Sequence, residues 1–504
     1  VMGSMEALAE HYGEREAARR LRAQWLVGGE HIRHGRWSGI RLWLEHDHGR
    51  LPGWTTSRPT AQLHHDREAI VDAAFKAIRD RISGRQPAGD TAIEAEALND
   101  YLIGRMHLDR ATTELNVRRA QGRFEAAIRR EPDFARAYAG LCMALLEEIW
   151  IRDEQWALEQ AGSACREASE REPNDTVVQL ARAALLRRSG EIETAIELLQ
   201  SAITEAPRDA DLLNLMATLH FHRFRQTGEA DALALARAAA IDSVEADPAF
   251  WKPLFTRAII EYYDNDIDAA VTASRNALAL EENTSILTNL GSFELCAGEI
   301  EQARERYLRV RELAPAAHAG DEFLGLVHYY QRDYETSRKL RQRAIDALAE
   351  GSPEIHQMWG GLAESRWRTG QADAAAAAWL RAIEIVERDR LRGTAGMDDD
   401  AARIYYYTAL NRLRPPTGSA ERPKTFQEEL EALIGADLSA NALVNVAKAW
   451  RNLGHPERAG AALTRATAIC PGYAALPEFA GLKVAGAGDA DDVTGQDSLN
   501  REHP

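Results

Sequence analysis

His46 and His48 stand two apart on a segment whose residues alternate as a strand would, with His64 and His65 close behind. Alternate strand positions share a face, so two imidazoles there have the spacing of a zinc or copper site still short of a third ligand. Solvated histidines at a strand end account for them better, and no metal is expected. A second cluster, "DNDID" from Asp264, offers the first three acids of a calcium loop. Ala269 then stands where the sharp turn needs glycine, and Arg275 where the bidentate glutamate belongs. An ordinary turn between helices is the better reading. The chain holds no G-x-x-x-x-G-K-[ST], G-x-S-x-G or H-E-x-x-H motif, so no catalytic residue and no cofactor is expected.

Bulk composition narrows the classes further. The 504 residues are 45% hydrophobic and 28% charged, as in ordinary soluble domains, and the formal charge is −17. Phosphate recognition needs clustered cations, whereas the arginines here are scattered among acids, so direct nucleic-acid binding is not expected. No apolar run reaches the roughly 20 residues that span a bilayer. Cys142, Cys165, Cys296 and Cys470 are far apart, without a C-x-x-C pair. Their spacing predicts a reducing, cytoplasmic setting rather than a disulfide framework or structural zinc.

Positioning comes from two kinds of element. Residues 1–85 read as a small α/β domain. A helix pattern, "EREAARRLRA", precedes "QWLVGGEHI" and then "RWSGIRLWLEHD", in which Ile40, Leu42 and Leu44 alternate with Arg41, Trp43 and Glu45. Gly49–Gly53 reads as a turn leading to Trp54, and Ile70, Ala74, Ala77 and Ile78 share one face of the following helix. The Gly84–Asp90 stretch reads as a linker.

From about Thr91 the pattern is helical and periodic. Pro173 and Pro207 are 34 residues apart, as are Glu281 and Pro315, while the 41-residue intervals Pro132–Pro173 and Pro207–Pro248 are the same unit with seven residues inserted. Twelve, eight and five residues before Pro132 stand Ala120, Phe124 and Ala127, and before Pro315 stand Ala303, Tyr307 and Val310. Upstream, one helix carries a small residue at its eighth position (Gly104, Ala183, Ala217, Gly291, Gly325, Ala363, Ala447), and Gly190, Gly298, Gly370 and Gly454 follow seven residues after four of these. Such a period marks stacked helical hairpins, each unable to bury its apolar face alone.

Over most of Thr91–Pro471 these offsets resemble the tetratricopeptide repeat (TPR). The resemblance implies a mainly α fold, a right-handed TPR superhelix (an α-solenoid) preceded by the α/β domain. The expected divisions are an array over 91–386, a degenerate helical pair over 387–437, a last repeat with a capping segment over 438–484, and a disordered tail over 485–504. In this family the twelfth position of the first helix faces the concave side, which assigns Phe221, Tyr262, Tyr329 and Trp367, with Leu295 between, to a row of aromatic anchors. Packing between neighbouring helices is the competing role for these rings. The family's carboxylate clamp of Lys and Asn is missing: Leu180 and Ala184, or Thr288 and Ser292, occupy those places, which argues against chaperone-tail recognition.

The first domain is similar to one that precedes such repeats in bacterial regulators, through Ala18, Leu21, Leu26, Val27, Gly29, Leu42, Leu44, Gly49, Trp54, Ile70 and Val71. That likeness implies the non-catalytic sensor or interaction half of a regulator, binding a protein or peptide in the concave groove. The alternatives are the regulatory half of a nucleotide cyclase or kinase, and a small-molecule sensor at the seam between α/β domain and repeats. Gly3-Ser4-Met5 reads as a cloning scar or as part of a longer chain, and the family's first strand and helix would lie before Val1, so a truncated product or one part of a larger protein is expected.

Overall fold

A computed structural model describes residues 26–46, 49–65, 67–82, 93–149, 154–315, 317–348, 355–393, 395–413, 421–434 and 438–479. The expected N-terminal helix, the linker, His48 and the tail lie outside them.

Strands β1 (Leu26–His34), β2 (Trp37–His46) and β3 (Gly49–Pro59) form an antiparallel meander in that order. The alternation in β2 gives the sheet one apolar face. Ile40 and Leu42, with Trp54 of β3, pack against Ile70, Ala74 and Ala77 of α2 (Arg67–Ile82), which follows the short α1 (Thr60–His65). The Gly49–Gly53 stretch is not a turn. It continues β3 in register with β2, and a shift between Leu42 and Trp43 absorbs the irregularity around Pro52. A bulge tolerates proline because the ladder there already lacks a regular partner.

The rest is an α-solenoid of paired helices: α3 (Ala95–Asp109) with α4 (Glu114–Arg130), α5 (Ala135–Glu148) with α6 (Glu154–Arg171), α7 (Thr176–Arg188) with α8 (Ile192–Glu205), and α9 (Ala210–Thr227) with α10 (Ala230–Ala246). The series continues with α11 (Trp251–Tyr263) and α12 (Ile267–Leu280), α13 (Thr284–Ala297) and α14 (Ile300–Leu313), α15 (His318–Tyr330) and α16 (Tyr334–Asp346), then α17 (His356–Arg368) and α18 (Ala372–Leu391). Helix α19 (Met397–Leu413) packs chiefly between α18 and α21 (Ala440–Asn452), the partner of α22 (Pro456–Ile469), and less against α20 (Glu421–Ile434).

Local chemistry starts and stops these helices where the offsets require. Asp175, Asp209, Asp266, Asn283 and Ser439 accept backbone N–H groups at N-termini. Gly190, Gly298, Gly370 and Gly454 take φ values of 83°, 89°, 77° and 83° in the turns. Asp266 in the former calcium-loop candidate is such a cap, accepting from the Ala269 N–H. Among the described residues no cluster of metal-ligating side chains occurs.

Within a hairpin the small eighth residue meets a side chain that stands eight positions before the unit boundary, sixteen residues later where nothing is inserted and twenty later for Gly104 and Phe124. Gly291 faces the Tyr307 ring, and Ala183, Ala363 and Ala447 correspond to buried Leu199, Trp379 and Leu463. In the two hairpins with a seven-residue insertion the same positions are Ala217 with buried Ala240, and Cys142 with Cys165, which form a disulfide. A second disulfide joins Cys296, at the end of α13, to Cys470 beyond α22. Both correct the expectation that these cysteines are too far apart to pair: separation along the chain says nothing about separation across a stacked hairpin.

The second disulfide marks a closure. After α22 two 3₁₀ turns, Pro471–Ala475 and Pro477–Phe479, return the chain to α13. Tyr473 and Ile469 join the cluster of Tyr262 and Phe293, and Leu476 and Phe479 join that of Tyr405 and Trp450. The C-terminal half of the solenoid thus bends into a ring.

Candidate functional site

The concave side is occupied differently in its two halves. In the first half the β1–β2 turn inserts Arg36 among repeat residues. Its guanidinium bonds Asp109 at 2.9 Å, Asp211 at 2.7 Å and Asp247 at 3.3 Å, and lies 3.6 Å over the Phe250 ring. The indole N–H of Trp37 donates to Asp109 at 2.5 Å, and that of Trp251 to the Asp109 carbonyl at 2.5 Å. Arg105 stacks 3.9 Å over Trp37 and faces Asp211 at 3.6 Å. Burial alone would raise the Asp211 carboxyl, but Arg36 and Arg105 outweigh it and hold the group below the ordinary range. Asp209 has no such direct bond, and burial, reinforced by Asp211, pushes it up to about 6. This region is a joint between sheet and solenoid.

The second half encloses a cavity of about 430 Å³. Its wall is built from the first helices of successive hairpins (α11, α13, α15, α17, α19, α21) and the first 3₁₀ turn. Seven tyrosines line it: Tyr262, Tyr263, Tyr329, Tyr330, Tyr405, Tyr406 and Tyr473. Burial raises the Tyr406 and Tyr473 hydroxyls, so these phenols keep their protons as donors. The charged members are arranged in pairs. Lys448 Nζ is 2.6 Å from Glu364 Oε1, which also accepts from the Tyr405 hydroxyl at 2.5 Å. His356 lies between Asp399 at 2.9 Å and the Tyr406 hydroxyl at 3.1 Å. With Nε2–H donating to Asp399, Nδ1 accepts from the phenol, which fixes the Tyr406 ring at the wall. Asp398 accepts from Ser439 at 2.7 Å.

One pair is different. Arg341 approaches Glu322 only to 3.7 Å. Arg341 Nε and Nη1 and Glu322 Oε2 are buried without a hydrogen-bond partner. Burial pushes the Glu322 carboxyl up to about 7 against the opposing pull of Arg341.

A cleft of about 200 Å³ adjoins the cavity, the two sharing Tyr329, Glu364, Tyr405 and Lys448. Trp367, Arg368, Arg412 and Arg451 complete its rim. With Lys448 that gives four cations to one acid, Glu364, in a chain of strongly negative total charge.

Of the aromatics assigned to the groove, the structure brings together three. Tyr262 and Tyr329 line the cavity and Trp367, 41% exposed, stands in the cleft. Tyr262 also stacks on Phe293 at 4.9 Å, and Tyr329 is 2% exposed, so both serve packing as well. Phe221 lies apart, edge-on to Tyr263 at 5.0 Å. The repeat positions Ala120, Phe124, Ala127, Ala303 and Tyr307 are all fully buried, whereas Pro132 and Pro315 sit at exposed boundaries. Sequence reasoning missed Glu322, Arg341, His356, Glu364 and Lys448. Arg341 had a signal: it stands sixteen residues after Gly325, where no other hairpin places a charge.

Family models described as tetratricopeptide repeat match residues 176–219 and 324–390, so such repeats are present in the chain. No curated protein matches it. Similar solved structures include a thermophilic TPR protein of Thermus thermophilus, at 19% identity over 38% of this chain and 92% of that one, with a TM-score of 0.31. A tetratricopeptide repeat protein from Parabacteroides merdae is 12% identical over 50% and 98%, with a TM-score of 0.38. The APC/C hetero-tetramer Cut9–Hcn1 is 16% identical over 79% and 81%, with a TM-score of 0.42.

Proposed function

We propose that the chain is a non-catalytic binding module that captures its partner on the inner face of the C-terminal ring. The observation that carries this is the continuity of the cavity with the cationic cleft through Tyr329, Glu364, Tyr405 and Lys448. Desolvated aromatics flanked by cations suit an extended peptide bearing acidic groups, entering at Trp367. The first half of the groove is taken by the sheet's own Arg36 turn, which moves the expected partner away from Phe221 and toward the ring. The sensor role in a bacterial regulator fits a module whose sheet and ring share one stack, so that capture at one end bears on the other. The buried disulfides favour an oxidising compartment over the cytoplasmic one.

Panning the full chain against a displayed library of acidic peptides tests the reading. Enriched peptides should lose at least tenfold in affinity on Trp367→Ala, an exposed site whose loss leaves the fold intact. Peptides that bind the variant as well as the parent would overturn it.

A further inference from the structure

Arg341 occupies an exceptional place in the repeat. The matching positions hold Leu199, Ala240, Ser274, Tyr307, Trp379 and Leu463, all buried and uncharged. Arg341 is equally buried, 4% exposed, and passes from α16 through a slot between two inner helices. The slot exists because both walls are glycine there. A Cβ on Gly325 would come 2.7 Å from Arg341 Cγ, and one on Gly361 would come 2.2 Å from Nη1. Two helices have given up side chains to bring a guanidinium to the inner wall.

What it meets is incomplete. Two of its nitrogens and Glu322 Oε2 lack hydrogen-bond partners, and the ion pair is long at 3.7 Å. Buried charges without full hydrogen bonding are costly, so a group that completes them binds with that cost already met by the fold. The complement must offer an acceptor to Arg341 and a donor to Glu322 side by side. A lone carboxylate would satisfy Arg341 and repel Glu322, and a lone amine would do the reverse. The Tyr329 ring, 5.6 Å from the guanidinium, and the other phenols leave an apolar wall for a side chain. At about 430 Å³ the space suits a small ligand rather than a helix.

We propose that the Arg341–Glu322 pair is a recognition site for a small zwitterion, a free amino acid or a di- or tripeptide, with its carboxylate on Arg341 and its ammonium on Glu322. The proposal rests on the reading of the ring as the binding site and adds to it a small-ligand subsite in the cavity, apart from the Trp367 cleft.

The full chain should be titrated by calorimetry with the twenty free L-amino acids, glycylglycine and trialanine, each also as its N-acetyl and C-amide form. At least one free zwitterion is expected to bind saturably, and both blocked forms to bind at least tenfold more weakly. Glu322→Gln, which keeps shape and removes charge, should weaken binding at least tenfold with the far-ultraviolet circular dichroism unchanged. Arg341→Leu, the residue type of sister hairpins, is the second variant and should abolish binding. No binding by any free form at 10 mM, or equal binding of blocked forms or of both variants, would overturn the proposal. If acidic displayed peptides still bind through Trp367, only the zwitterion assignment fails. If they do not, the ring reading fails with it.

Discussion

Glu322 is a residue whose ionisation the fold opposes. Burial raises its carboxyl from 4.5 to about 7, so the native state holds a proton that the unfolded chain has already released over that interval. Stability from this group is therefore greatest below the unfolded value and falls as pH rises toward 7. Glu322→Gln does not titrate, so the variant's advantage over wild type should grow from pH 4.5 to 7 and then level off, at about 1–3 kcal/mol. Urea titrations of both proteins at pH 5 and 8 check it, and an equal difference at the two values would refute it. Comparing the pair isolates Glu322 from the histidines whose values burial lowers, such as His318. The same bookkeeping bears on Arg341→Leu combined with Glu322→Leu. Replacing a poorly bonded buried ion pair by apolar side chains is expected to be neutral or stabilising by about 1–4 kcal/mol, measured as a higher urea midpoint. A binding function explains why the sequence keeps the less stable option.

At the scale of the element, the hairpin was legible because its constraints are local. A small residue, a large partner sixteen positions on and a left-handed glycine in the turn each leave a mark at a fixed offset, and Gly291, Tyr307 and Gly298 occupy those places in the structure. Tyr307 is fully buried, and its hydroxyl meets Ser292 at 3.2 Å. Tyr307→Ala should cost about 3–5 kcal/mol, whereas Tyr307→Leu, the residue of sister units, should cost within about 1.5 kcal/mol. Thermal melts distinguish the two, and equal losses would contradict the equivalence of the positions. The β strands were half legible. Alternation announced β2, but the Gly49–Gly53 part of β3 has turn composition and is held as a strand only by pairing with β2, which no local pattern records. The site was largely illegible for the same reason. Glu322, Glu364 and Lys448 belong to three helices whose inner faces meet only when the ring closes, and an aromatic row read along one helix position could capture Tyr262, Tyr329 and Trp367 but not the charges between them.

The whole molecule depends on contacts that join distant parts of the chain. The sheet docks through Arg36, whose three carboxylate partners are 73, 175 and 211 residues away. Arg36→Met would leave Asp247 without its ion pair and Asp109 and Asp211 with only Trp37 and Arg105 beside them, at a cost of about 3–5 kcal/mol. Fluorescence of Trp37 and Trp251, both hydrogen-bonded at this joint, should report the loss. The ring depends on Cys296–Cys470, which spans 174 residues, against 23 for Cys142–Cys165. If cross-links act by limiting the unfolded chain, the longer loop contributes more: about 5 kcal/mol at most, against about 3 for the shorter. Cys470→Ser should therefore lower the melting temperature more than Cys165→Ser does. It should also do something the other cannot, because Tyr473 and Leu476, which follow Cys470, form part of the cavity wall. Releasing that segment opens the ring and exposes Tyr262, while Cys142–Cys165 lies in a hairpin outside it. Peptide affinity measured well below either melting temperature should drop for Cys470→Ser and hold for Cys165→Ser. If both variants kept full affinity, closure would be a matter of stability alone, and binding would have to be sought elsewhere on the inner face.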